Sequence, residues 1–266
     1  MRGLTAVLAL LLLTSPAWAA EHPALAKARV LYNAGDFDGA ISAAAVSRRV
    51  IGSADASALV IARSHLERYR QRADPADLGA AREALGSVRS AALTPRDQVD
   101  LLVGLGQSLY LGEVFGAAAE LFDTALSRAA LLPERDRLLL LDWWATALDR
   151  EAQTRAAERR GRVFERIGER METELRADPA NTVANYWLAV AARGIGDVER
   201  AWDAAVAGWV RSTLKPESAE TLRTDLDRLV TQALIPERAQ ARPGREQPES
   251  LAALRAEWDL VKQQWK

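Results

Sequence analysis

Residues 102–126 read LVGLGQSLYLGEVFGAAAELFDTAL. Two helices are implied, with Leu105 and Gly106 in the first, Phe115 at the turn, and Ala118, Phe122 and Ala125 down the second. The small residues Gly106, Ala118 and Ala125 let two antiparallel helices approach closely. Larger ones (Leu102, Leu105, Leu109, Phe115, Phe122) fill the space between that pair and the next. One pair cannot bury its own apolar face, so units of this kind occur stacked.

Working outward, proline marks the units. Pro75, Pro95, Pro133, Pro179 and Pro216 each sit just before or at the start of an amphipathic run, where the missing N–H is harmless. A first pair is expected over residues 24–49, with Gly35 as a helix C-cap and Asp36 as an N-cap. A second is expected over residues 55–88, divided at Asp74 and Pro75. The third is residues 95–129. The fourth starts at Pro133 with LLLLDWWATALDR and continues in a long helix to about Ala177, with Phe164, Ile167, Met171 and Leu175 on one face. The fifth covers residues 178–210. One more helix follows Pro216, with Leu222, Leu226, Leu229, Val230 and Leu234 on one side. Residues 235–249 hold Pro236, Pro243, Gly244 and Pro248 and read as an extended linker. The last segment, residues 250–266, carries Leu251, Leu254, Trp258, Val261 and Trp265, one apolar stripe of a helix. Docking of that helix on its own chain is expected, since two exposed tryptophans would be a solubility liability.

The third and fifth of these units resemble the tetratricopeptide repeat (TPR), the first does so less fully, and the second and fourth do so by period and amphipathicity. The fifth carries Leu188, Ala189, Gly196, Asp197 and Ala201 at matching places. The likeness spans about residues 24–213 and implies an all-α fold: an α–α superhelix, a TPR-like solenoid of about five helical hairpins over residues 20–234, with C-terminal capping helices. Three departures stand out. Gly112 lies one residue before the usual turn glycine. The fourth unit has adjacent tryptophans, Trp143 and Trp144, where one large residue is usual. An insertion around residues 70–73 lengthens the second unit. Adjacent helical residues point about 100° apart, so the two tryptophans cannot be equally buried in one interface.

The first twenty residues read as an address. Arg2 is the positive region, residues 6–13 are apolar but too short to span a bilayer, and Ala17, Trp18 and Ala19 form a small-x-small cleavage pattern. Residues 1–19 are therefore expected to be a signal peptide, and the mature chain to be exported, periplasmic or secreted. The chain has 266 residues, 49% hydrophobic, with no cysteine and a net charge of −1. Disulfides and Cys-ligated metals are excluded. Near-neutrality argues against nucleic acid or anionic lipid as the main partner.

Catalytic signatures are sparse. The two histidines are His22, near the mature N-terminus, and His65, inside an expected helix. No HExxH, Walker-type, GxSxG or GxGxxG stretch occurs. The Gly104–Gly106 and Gly194–Gly196 GxG patterns are read as close-packing positions rather than phosphate loops. Asp142 and Asp149 share a helix face, but their rise of about 10.5 Å is wide for a carboxylate pair flanking one glycosidic bond. They read as solvated or binding residues. No cofactor and no metal is expected, and the chain reads as non-enzymatic.

In proteins of the repeat family the first helix of each pair lines a concave surface that binds peptides or partner helices. Carried over, that implies a partner-binding set of Arg29, Tyr32 and Asn33 in the first unit, and Val103, Gln107 and Tyr110 in the third. The fourth would supply Asp142, Thr146 and Asp149, and the fifth Tyr186, Val190 and Arg193. A tryptophan facing this groove would be an anchor. The resulting expectation is an exported scaffold that mediates protein–protein interactions in the cell envelope. The alternative is a periplasmic ligand-binding accessory protein of a transporter.

Overall fold

Small polar residues and prolines start the helices where the sequence places them. Asp36 accepts from Gly39 N at 2.9 Å, Asp74 from Ala76 N at 2.9 Å, Asn181 from Ala184 N at 3.0 Å and Asp197 from Arg200 N at 2.9 Å. Each satisfies one of the donors a helix start leaves free. The computed structural model describes residues 21–241 and 247–266. The expected signal peptide, residues 1–19, and residues 242–246 of the expected linker lie outside the described residues.

The described residues form helices and no strands. In chain order these are α1 (Pro23–Asn33), α2 (Phe37–Ser47), α3 (Ala54–Arg72), α4 (Pro75–Gly86), α5 (Pro95–Leu111), α6 (Phe115–Leu126), α7 (Glu134–Gln153), α8 (Ala157–Ala177), α9 (Thr182–Gly194), α10 (Val198–Arg211), α11 (Pro216–Leu229), α12 (Ile235–Gln240) and α13 (Gln247–Gln264). Each helix up to α10 packs on the next in sequence, so the pairs fall as read: α1 with α2 through α9 with α10. First helices also touch one another, α1 with α3, α3 with α5, α7 with α9, and α9 with α11. The fourth unit differs from its expectation in one respect. Its long helix is broken at residues 154–156, with Ala156 extended. No Gly or Pro marks that break, and packing of α8 back onto α7 and α9 accounts for it.

The core runs along the pairs as three apolar clusters. One is built on α1–α5 around Leu59, Leu66 and Leu85, one on α5–α9 around Phe122, Trp144 and Ile167, and one on α9–α13 around Trp202, Leu226 and Trp258. Neighbour-to-neighbour burial of this kind is what a hairpin that cannot cover its own face requires. The small residues do what their spacing implies. A Cβ on Gly106 would lie 2.5 Å from Phe122 Cε1, and one on Gly194 would lie 2.3 Å from Phe164 Cγ. Both GxG patterns are therefore places where a ring presses on backbone.

Three turns share one geometry. The N–H of Asp36 reaches Leu31 O at 3.0 Å, that of Val114 reaches Leu109 O at 2.9 Å, and that of Asp197 reaches Ala192 O at 3.1 Å. The residue before each donor is left-handed: Gly35 at φ 80°, Glu113 at φ 62° and Gly196 at φ 88°. The displaced Gly112 thus leaves a glutamate where the other two turns have glycine. A side chain pays about 1–2 kcal/mol in that region, against about 0.5–1 kcal/mol for glycine's extra freedom when unfolded. Glu113→Gly is expected to raise the unfolding free energy by about 0.5–1 kcal/mol in urea melts. A loss of stability would contradict the shared turn.

The linker reading over residues 235–249 is corrected. Ile235–Gln240 is helical and continues α11 through a π-helical turn, Val230–Leu234. Pro236 has no N–H and its ring crowds the preceding turn, which ordinarily breaks a helix. The wider turn, with Ile235 N bonded to Val230 O, accommodates it. Val230, Leu234 and Ile235 are buried there, and that burial holds the continuation in place. The C-terminal helix then docks on its own chain, as expected. Leu254 and Trp258 are fully buried, and the Trp258 ring stands edge-on to Trp209 at 5.3 Å and Trp202 at 6.0 Å. Its Nε1 donates to Asp227 at 2.8 Å. Trp265, at the end of the stripe, remains 46% exposed.

Candidate binding site

Helices α1, α3, α5 and α7 line an open cavity of about 640 Å³, the first helices of four successive pairs each contributing residues, with Gly35 and Phe37 of the first turn beside them. Arg29, Tyr32 and Asn33 line it from α1, joined by Arg63 of α3, Arg96 and Asp100 of α5, and Arg135, Asp136 and Leu139 of α7. The walls are tied by ion pairs between helices. Arg29 reaches Asp97 at 2.9 Å, Arg63 reaches Asp100 at 3.2 Å, and Arg96 reaches Asp136 at 2.8 Å. Arg63 also lies 4.8 Å from the centroid of the Tyr32 ring, within cation–π range. Burial pushes the Tyr32 phenol above its ordinary pKa, and the charge of Arg63 opposes that shift. Asn33 is exposed, so its amide is free to meet a ligand.

A second hollow of about 520 Å³ holds Asp149, Gln153, Arg160 and Arg193, with Glu237 of α12. Arg193 grips Glu237 with a fork, Nη2 to Oε1 at 2.7 Å and Nε to Oε1 at 2.9 Å. Its guanidinium thus already ties α9 to α12.

The twelve residues named from sequence do not form one surface. Arg29, Tyr32 and Asn33 stand at the first cavity, and Asp149 and Arg193 at the second. Gln107 is buried at 6% exposure with its Oε1 unpartnered, and so belongs to the packed interior. Tyr110 packs edge-on against Phe115 at 5.2 Å and Trp143 at 4.9 Å. Truncating it would report on packing as much as on capture. Asp142 is half-buried and accepts a hydrogen bond from Trp187 Nε1 at 2.8 Å, so it is neither solvated nor one of a free carboxylate pair. Thr146 and Tyr186 are half-buried, with the Tyr186 ring edge-on to Trp187 at 5.5 Å.

Sequence reasoning missed Arg63, Arg96, Arg135 and Leu139. The signal was present in the second unit, where Val60, Arg63 and Glu67 recur at gaps of three and four on α3. The tryptophan pair resolves as the 100° rule requires. Trp144 is 1% exposed in the core, whereas Trp143 is half-buried against Tyr110, with Arg70 at 5.2 Å from its ring centroid.

Around α7 and α9 the carboxyl groups are under electrostatic load. Burial raises the pKa of Asp142 against its bond from Trp187, and Asp225 adds to the rise. Burial likewise raises Asp149, against Arg150, Gln153 and Arg193. A carboxyl whose folded pKa lies above its unfolded one costs stability progressively as pH rises from the unfolded value through the folded one. The native protein therefore loses stability as pH climbs from the ordinary aspartate range through the raised one. Asp149→Asn is expected to flatten that part of the pH–stability profile and to be the more stable form at neutral pH. Profiles that stay parallel would contradict this origin.

Among the described residues no group of three His, Asp or Glu side chains is arranged to hold a metal ion, and no helix is long and apolar enough to cross a membrane. His65 Nδ1 is 2.8 Å from Asp77 Oδ1, a pair that joins α3 to α4. No family model, curated protein or solved structure matches the chain.

Proposed function

We propose that this chain is an exported, non-enzymatic TPR-like helical array whose first-helix face holds a protein or peptide partner. The observation that carries the reading is the 640 Å³ cavity, to which four successive first helices each contribute residues. A surface to which successive units each contribute suits an extended ligand, which meets one unit after another. The repeated turn geometry and first-helix contacts support the array. The cell envelope is proposed as its location on the sequence of residues 1–19 alone.

Asn33 and Leu139 line this cavity while remaining exposed, Leu139 at 56%. Their replacement by alanine is expected to change stability by no more than about 0.5 kcal/mol. The paired variant, Asn33→Ala with Leu139→Ala, should lose a partner that the wild-type chain retains from an extract of the host envelope. Undiminished capture by a normally folded variant would sink the assignment.

A second reading has one observation in its favour. A cavity of 640 Å³ falls within the range of about 300–1,000 Å³ common for small-molecule sites. A small molecule eluting with the purified chain, in the absence of any protein, would make the transporter-accessory role the better account.

A further inference from the structure

The first-helix cavity has a charge pattern that narrows its ligand. Three of its four arginines already have carboxylates: Arg29 has Asp97, Arg63 has Asp100, and Arg96 has Asp100 and Asp136. Glu67, the remaining carboxylate in the wall, is turned to Arg70 at 2.8 Å. Arg135 is exposed at the cavity rim and makes no ion pair or hydrogen bond among the described residues. The Arg63 Nε, sealed from solvent in the wall, also has no acceptor. Of these, the cation open to an incoming acceptor is Arg135. Beside it lies apolar surface: Phe37, Val60 and Leu139, the last 56% exposed.

We infer that this cavity takes an aspartate or glutamate side chain carried next to an apolar one on an extended peptide, with Arg135 as the group that selects the charge. The inference rests on the binding-face reading above and names its ligand class. Guanidinium meets carboxylate through two parallel hydrogen bonds, and such pairs are stronger than neutral ones. The apolar neighbour covers Leu139 and Phe37 and lowers the dielectric around the pair, which strengthens it further. A lysine in the same place would meet Arg135 as a like charge. One free cation also falls short of the dense basic surface that a nucleic acid needs.

The test uses the full mature chain and an array of short peptides in a common Ser/Asn frame, carrying Leu followed by Glu, Gln or Lys. The Leu-Glu peptides should bind, the Leu-Gln peptides at least tenfold more weakly, and the Leu-Lys peptides not at all. Arg135→Gln should abolish the preference for Glu over Gln while leaving the unfolding midpoint unchanged. Equal binding of Glu and Gln peptides, a preference that survives in Arg135→Gln, or no binding of any Leu-Glu peptide would overturn the inference. Should a host partner still depend on Asn33 and Leu139 in that event, the binding face stands and the ligand class alone is wrong.

Discussion

Trp258→Ala is expected to cost about 3–5 kcal/mol of stability, the range for truncating a fully buried large aromatic. The residue is 0% exposed and closes the last apolar cluster between Trp202 and Trp209. Its removal leaves a void under α13, which the neighbouring rings cannot fill by rotating alone. Asp227 is not orphaned, because Lys262 Nζ remains 2.9 Å from it, so the loss is one of packing and not of a stranded charge. Domains are stable by about 5–15 kcal/mol in all. The variant should therefore unfold at a much lower urea concentration and release α13 to protease before the rest. A loss below about 1 kcal/mol, with α13 still protected, would mean that the helix is not the cap it is drawn as.

Gly194→Ala sets two opposing effects against each other. Alanine is favoured over glycine within a helix by about 1 kcal/mol. The added methyl, however, would start 2.3 Å from Phe164 Cγ, and Phe164 is itself buried at 5% exposure. Forcing a ring aside in a packed interior costs about 1–3 kcal/mol, and more where backbone must move. Destabilisation by about 2 kcal/mol is therefore expected, and Phe164→Leu in the same chain should recover part of it as a measurable coupling. The same argument holds for Gly106 against Phe122, where the Cβ would start 2.5 Å away. Additive losses in the double variant would show that ring and glycine are not in contact.

Much of the helical order is legible in the residues because its signals are local. Asp36, Asp197 and the prolines mark helix starts, and Gly35 and Gly196 mark left-handed turns. The Gly106–Phe122 fit follows from small-against-large spacing across a single turn. The continuation through α12 is not legible in this way. Pro236 reads locally as a break, and only the burial of Ile235 against the rest of the chain shows why the helix persists through a π turn.

The site is harder to read because its organising contacts are long-range. Arg29 finds Asp97, and Arg96 finds Asp136, across pairs whose relative placement no local pattern encodes. Helical periodicity does put Gln107 and Tyr110 on the same face of α5, but it cannot say that a neighbouring Trp143 closes over Tyr110. Asp142 reads as a surface carboxylate until Trp187, 45 residues further on, is found donating to it.

The most direct test of the binding face places a photo-crosslinking amino acid at position 139, on the first-helix side, and separately at position 124, exposed on α6. Each chain is expressed in the host and irradiated. A covalent adduct to the same partner from position 139, with none from position 124, is the predicted result. An adduct from position 124 alone would place the partner on the second helices and contradict the account.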